Sequence, residues 1–271
     1  MLNLSTGRLK DNLEQAGYLE VTGADLYTVF HDVRTPTARV LLLGPFAAER
    51  HFSYLPWVRW ARFLADHGVS ALRYDYRGMG ESTGAFEDLS FEQCVEDAEH
   101  LARWLQEQSP EAPLILHGLE FGGILASRIF AKGCGDAMLL WSTPANANEV
   151  LRRALLRRVA VEHTFKNAGE PRPLAHFVRQ LEMGRPVEVE GYHWPGKLWR
   201  ESLQFDAVLP PESAVDRDRR PARHVKLDRT AAPLVKGSSL GYIVALNPDL
   251  THLYAENVAW ITRAAQRTRT Q

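Results

Sequence analysis

The 271-residue sequence predicts an α/β domain, with a mostly parallel central sheet, helices on both faces and an inserted helical cap. Three observations predict it. Short, nearly continuous apolar runs alternate with longer stretches of helical periodicity between residues 39 and 141, the rhythm of right-handed βαβ units. One of those runs feeds a Gly-x-x-x-Gly turn and then a helical stretch. The rhythm breaks over residues 143–205 and resumes towards the C-terminus.

Residues 18–33 carry two short strand patterns around Thr22, Gly23, Ala24 and Asp25, which reads as a hairpin. Residues 39–43 (Arg-Val-Leu-Leu-Leu) form the first run expected of a strand buried on both faces. Residues 54–67 follow with Trp57, Trp60, Ala61 and Leu64 at helical spacing, ending at the C-cap signal Gly68. The next strand spans 69–74. A helix over 90–108 opens on Ser90 with Gln93 three residues on, a capping-box pairing. A strand over 114–117, a helix over 122–132 and a strand over 137–141 complete the series. Beyond it come an Arg-rich amphipathic helix (149–162), the Pro-rich link 170–173, a helix over 174–183, and the aromatic residues Tyr192, Trp194 and Trp199. The segment 209–221 reads as a surface connection, bounded by Pro210, Pro211 and Pro221. Strand patterns return at 224–227 and 242–246, and a last amphipathic helix covers 252–265. The division expected is a core of 1–142 with 206–271, and a cap of 143–205.

Composition limits the function classes. A formal net charge of −1 provides no basic field for nucleic acid. Cys94 and Cys134 are too few for a disulfide framework and read as reduced thiols. The N-terminus shows no basic segment followed by an apolar core, and no window approaches 18 uncharged apolar residues. A cytoplasmic protein without a transmembrane segment is expected. The ten histidines are scattered, with no His-x-x-x-His or Cys-x-x-Cys, so no metal site is expected. No Gly-x-Gly-x-x-Gly opens a helix after a strand, and no cofactor is expected.

The order of elements, the run Tyr74-Asp75-Tyr76-Arg77-Gly78-Met79-Gly80-Glu81-Ser82 and the turn His117-Gly118-Leu119-Glu120-Phe121-Gly122-Gly123 resemble the α/β-hydrolase superfamily, in its serine-aminopeptidase-like and esterase-like branches. Pro45-Phe46-Ala47-Ala48-Glu49 and Val189-Glu190-Gly191-Tyr192 are similar to strings in hydrolase-like proteins that accompany exosortase systems. The resemblance implies a nucleophile elbow at 118–122, whose pattern is Gly-x-Ser-x-Gly. Here the central residue is Glu120. The loop 75–82 reads as structural, its glycines permitting tight turns and Asp75 and Arg77 bonding nearby backbone.

Carried over by position, the triad order Ser…Asp…His becomes Glu120…Asp228…His252. The oxyanion donors become the backbone N–H groups of Phe121 and of Phe46, since Pro45 has none. Asp228 reads equally well as a strand-end turn residue, and His252 as a helix N-terminal residue. A glutamate has no hydroxyl to activate, and its charge stands where a tetrahedral oxyanion must form, which disfavours serine-type acyl transfer. Three uses survive. Glu120 attacks carbon as a nucleophile, as the aspartate does in the superfamily's dehalogenases and epoxide hydrolases, with His252 activating water. It acts as a general base in a lyase-type reaction. Or catalysis is lost and the protein serves a binding or accessory role, which is the reading favoured.

The expected ligand is a small-molecule or acyl-type compound, with Tyr192 and Trp194 as candidate lining residues, or a protein met through the cap. Those aromatics read equally as packing against the core. Arg152, Arg153, Arg157 and Arg158 are expected to form a solvated basic face, the alternative being a cap helix that recruits an anionic substrate or meets an acidic partner.

Overall fold

The structure, a computed structural model, describes residues 5–9, 12–164, 172–210, 220–227 and 250–269. Strand β1 (Ser5–Leu9) runs antiparallel to β2 (Asn12–Val21), which forms the expected hairpin with β3 (Ala24–Asp32). Gly23 carries the hairpin turn at φ +78°, a backbone region that favours glycine. There follow β4 (Ala38–Leu43), α1 (Glu49–Asp66), β5 (Val69–Tyr74), α2 (Phe91–Gln108), β6 (Leu114–Leu119), α3 (Phe121–Ala131) and β7 (Ala137–Trp141).

The excursion after β7 holds α4 (Ala147–Thr164), α5 (Leu174–Glu182), the small hairpin β8 (Val187–Val189) with β9 (Tyr192–Trp194), and α6 (Gly196–Ser202). The chain then returns to the sheet as β10 (Ala222–Val225) and ends in α7 (Thr251–Arg269). The sheet order is β1-β2-β3-β5-β4-β6-β7-β10, with β5, β4, β6, β7 and β10 parallel and β3 antiparallel to β5.

The apolar runs of β4 and β7 are buried along their full length, because helices cover both faces. On one side Trp57, Trp60 and Leu64 of α1 join Tyr254, Val258 and Ile261 of α7. On the other, Leu101 and Leu105 of α2 join Ile124 and Ile129 of α3. Ser90 and Gln93 close the capping box: the Gln93 N–H donates to the Ser90 hydroxyl at 3.2 Å, and the Ser90 N–H to Gln93 Oε1 at 3.1 Å.

Two expectations are corrected. Helix α1 begins at Glu49, five residues before the apolar periodicity becomes visible, through i→i−3 bonds from Glu49, Arg50 and His51 N–H. An acidic residue in that first turn suits the positive end of the helix dipole. The excursion also contains β8, β9 and α6, which are too short to show a period. The strand expected at 242–246 lies outside the described residues, as do most of the 209–221 connection and Asp228.

Candidate functional site

Connections leave β4 and β6 to opposite faces of the sheet, so a crevice opens between their carboxyl ends. Open α/β sheets bind ligands at such a reversal of strand order. Glycines let three elements close around it. A Cβ on Gly122 would lie 2.0 Å from the Leu43 carbonyl oxygen, and one on Gly118 would lie 2.3 Å from Gly123 Cα. The Gly-x-x-x-Gly spacing is therefore a packing requirement: the β6–α3 turn presses directly onto the end of β4.

Glu120 occupies the turn at φ 56°, ψ −121°. Its N–H donates to the Trp141 carbonyl at 2.9 Å, and its own carbonyl accepts from Gly123 N–H at 2.9 Å. Two further non-glycine residues have positive φ at the ends of the neighbouring strands, Ala47 (49°) after β4 and Ser142 (48°) after β7. Each such position costs on the order of 1–3 kcal/mol and persists only where surrounding contacts enforce it. Strain is thus gathered at the carboxyl ends of three adjacent parallel strands.

The Glu120 side chain is buried, 5% exposed, and accepts a hydrogen bond from Arg153 Nη2 at 2.7 Å. Arg153 comes from α4, in the excursion after β7. One turn further along α4, Arg157 donates to Glu49 at 2.9 Å and grips both oxygens of Glu190 at 2.7 and 3.0 Å. Arg153 Nε lies 4.0 Å from Glu49, linking the two pairs. Burial alone would push the Arg157 guanidinium down, but the hydrogen bonds and charges of Glu190 and Glu49 hold it above its usual range. The expectation of a solvated basic face is corrected for three of the four arginines. Arg152 is exposed, whereas Arg153, Arg157 and Arg158 are half-buried and ion-paired, because α4 lies across a row of carboxylates.

The other expected site residues divide. Phe46 and Phe121 meet, with ring centroids 4.9 Å apart beside the crevice. His252 does not come to Glu120. It sits in the first turn of α7 with a side chain 90% exposed, its Nδ1 3.7 Å from Glu256 Oε1 on the same helix face. A ring so open to solvent makes no pair with a buried carboxylate. Asp228 is outside the described residues. Tyr192 packs on Phe86, with centroids 4.7 Å apart, and Trp194 is a buried member of the core.

Loop 75–82 is structural in detail. Arg50 binds both oxygens of Asp75 at 2.6 Å, Arg77 pairs with Asp97, and the Ser82 hydroxyl donates to the Asp75 carbonyl at 2.7 Å. Beneath the Glu120 turn, His117 is fully buried among Trp57, Trp60 and Trp141. Its Nδ1 lies 2.9 Å from the Leu139 carbonyl, and burial pushes its pKa down to about 3. It stays neutral.

Sequence reasoning missed Arg153, Arg157, Glu49 and Glu190 as one cluster. The i,i+4 spacing of the arginines was the available signal, together with the presence of both glutamates in the strings quoted above.

Comparisons with known proteins agree with this architecture. A family model described as serine aminopeptidase, S33 (Hydrolase_4) matches residues 54–178, just under half of the chain. The structure is similar to an alpha/beta hydrolase, GrgF, from Penicillium sp. sh18, with TM-score 0.56 and 17% identity over 93% of this chain and 99% of that one. It is similarly close to a soluble variant of monoglyceride lipase from Saccharomyces cerevisiae, with TM-score 0.56 and 11% identity over 95% of this chain and 98% of that one. A lidless a/b serine hydrolase from Xanthomonas campestris aligns over 49% of this chain and 62% of its own, with 24% identity and TM-score 0.42. The chain thus spans less than two thirds of that protein. No curated sequence gives a significant match. Among the described residues no helix is long and apolar enough to cross a membrane.

Proposed function

We propose that this chain of α/β-hydrolase fold is a hydrolase-like protein that does not perform serine acyl-enzyme chemistry and acts in a binding or accessory role. The β6–α3 turn serves as a nucleophile elbow that carries Glu120 in place of a nucleophile. The excursion 143–205 serves as its cap. The observation that carries this reading is the 2.7 Å ion pair between buried Glu120 and Arg153 of α4.

A carboxylate there supplies no proton for a base to remove, and its charge repels an oxyanion formed over the same turn. Arg153 directs the carboxylate towards α4. Withdrawing one partner of a buried pair leaves an uncompensated charge, which costs about 3–5 kcal/mol for fully buried pairs and less for a guanidinium that is partly open. Attack on substrate by Glu120 would have to overcome part of that cost. The favoured ligand is an acyl-type small molecule or a protein met through the cap, since the structural neighbours include a lipase and the S33 model describes peptidases.

A second reading keeps catalysis, with Glu120 as nucleophile or general base. The strained backbone at φ 56°, ψ −121° supports it, because proteins hold such geometry chiefly at functional turns. The exposure of His252 removes the partner that reading first assigned. One experiment separates the two. Wild type and Glu120→Gln are assayed on a panel of p-nitrophenyl esters, an epoxide and a haloalkane, and probed with a fluorophosphonate. No labelling, and no turnover above background in either protein, is expected. Turnover that disappears in Glu120→Gln would overturn the accessory reading.

A further inference from the structure

We infer that the outer groove of the excursion after β7, between α4, α5 and β8, is an anion site that takes a phosphoryl group. The groove has a volume of about 430 Å³ and is lined by Arg158, Arg172, His176, Gln180, Arg185 and Glu188, with Phe177 as its apolar floor. It is lined by Arg158 of α4 and not by Arg153 or Arg157, and does not depend on that site's function.

Two features give the groove a built geometry. The Arg158 and Arg172 guanidiniums lie 4.9 and 5.0 Å from the centroid of the buried Phe177 ring. Cation–π contact fixes both groups against one surface. Carboxylates then hold one edge of each. Arg158 donates to Glu188 through Nη1 and to Glu162 through Nη2, and Arg172 donates to Glu162 through Nη2 and Nε. The arginines are therefore oriented before any ligand arrives, which lowers the ordering cost of binding.

The carboxylates do not exhaust the donors. A guanidinium carries five N–H groups. Among the described residues Arg172 keeps both hydrogens of Nη1, and Arg158 keeps one hydrogen on each Nη, its Nε–H being buried away from the groove. Arg185 donates to Gln180 at 3.3 Å through Nη1 and keeps its Nε and Nη2 hydrogens. Charge points the same way. Three guanidiniums face the two carboxylates Glu162 and Glu188, leaving one positive charge. Several planar N–H groups and a net positive charge suit a phosphoryl group, whose oxygens accept from several arginines at once. The group arrives on a phosphorylated small molecule or on a lipid headgroup.

The test is calorimetric titration of the full chain with pyrophosphate, with flotation on phosphatidic-acid and phosphatidylcholine vesicles as a second arm. Saturable pyrophosphate binding is expected, weakened about tenfold by Arg185→Gln, the loss of one charge-assisted contact. Arg172→Gln is expected to weaken it further, and His176→Asn less. Arg152→Gln, exposed on α4 outside the groove, should leave it unchanged. Among the described residues Arg185 and His176 pair with no carboxylate, so their variants keep the test valid if Arg172→Gln fails to fold. Added retention on phosphatidic acid, lost with Arg185→Gln, would assign the lipid source. Retention equal on both lipids would assign the soluble one. Absence of saturable binding, or binding that Arg185→Gln and His176→Asn leave intact, would overturn the site.

Discussion

Two buried carboxylates, each held by an arginine, stand near the carboxyl edge of the sheet, and they are held differently. Asp75 receives Arg50 on both oxygens at 2.6 Å and the Glu81 N–H at 3.1 Å, all from the connections around β4 and β5. Glu120 receives Arg153 through Nη2 at 2.7 Å, and Arg153 belongs to the excursion beyond β7. Arg50 is 20% exposed and Arg153 31%. The first pair is internal to the sheet scaffold. The second joins the scaffold to a separate segment, so its strength depends on where that segment sits. A shared residue chemistry thus does two jobs, one fixing a loop and the other docking a segment.

Breaking the internal pair should have the largest effect. Arg50→Ala leaves Asp75 buried without its guanidinium and is expected to cost about 3 kcal/mol, the lower end for a buried pair because Arg50 is partly open. Urea unfolding reads this as a lower midpoint at constant slope. A change within about 0.5 kcal/mol would place Asp75 among ordinary surface ion pairs.

Acid should act next, beneath the docking carboxylate. Burial lowers His117 to about 3 and His31 to about 4, against an unfolded value of about 6.5. Between those values the unfolded chain binds more protons. Stability is therefore full above pH ~6.5 and falls as pH drops towards the folded values, by up to about 1.4 kcal/mol per pH unit for each histidine. His117→Phe should remove about one proton from that slope between pH ~5 and ~6.5, where carboxylates contribute little. An unchanged slope would show that another group carries the acid sensitivity.

The contrast also marks where the sequence was readable. Residues 39–43 and 137–141 are apolar along their length because helices cover both faces, and that burial writes itself into composition. Ser90 with Gln93 and the glycines at 118, 122 and 123 likewise answer to local geometry. The docking cluster does not. Glu49 and Arg157 are 108 residues apart, and Glu120 and Arg153 are 33 apart. Nothing in local periodicity says that α4 crosses the crevice at that register. A basic helix face looks the same in sequence whether it meets water or a row of carboxylates. His252 shows the converse: its chain order fits a triad, while its place on the helix turns the ring to solvent.

The docking pair itself should show a smaller effect. Arg153→Ala is expected to cost about 1–2 kcal/mol, discounted for the guanidinium's exposure. Glu120→Gln in the same chain should recover part of that loss, because a neutral amide no longer needs the cation. A double-mutant cycle in thermal unfolding should give a coupling of about 1 kcal/mol. Zero coupling would mean that this pair adds nothing to the docking of α4, leaving it to the Arg157 ion pairs and to apolar contacts such as Leu151 and Leu155.

The smallest effect belongs to the outer end of the cluster and separates charge from backbone. Glu190 and Gly191 form the β8–β9 turn with φ 52° and 88°, a geometry that asparagine tolerates better than most residues with a side chain. Glu190→Asn therefore keeps the turn and removes the carboxylate that Arg157 grips. Arg157 retains Glu49, so the expected loss is only about 0.5–1 kcal/mol, fading as salt rises. Glu190→Ala loses the same charge without the relief at positive φ that asparagine brings, and should be less stable than Glu190→Asn by about 0.5–1 kcal/mol. If the two variants unfold at the same temperature, the turn carries no strain. Arg157–Glu190 would then be an ion pair laid over a relaxed hairpin, leaving the strained positions confined to the strand ends around Glu120.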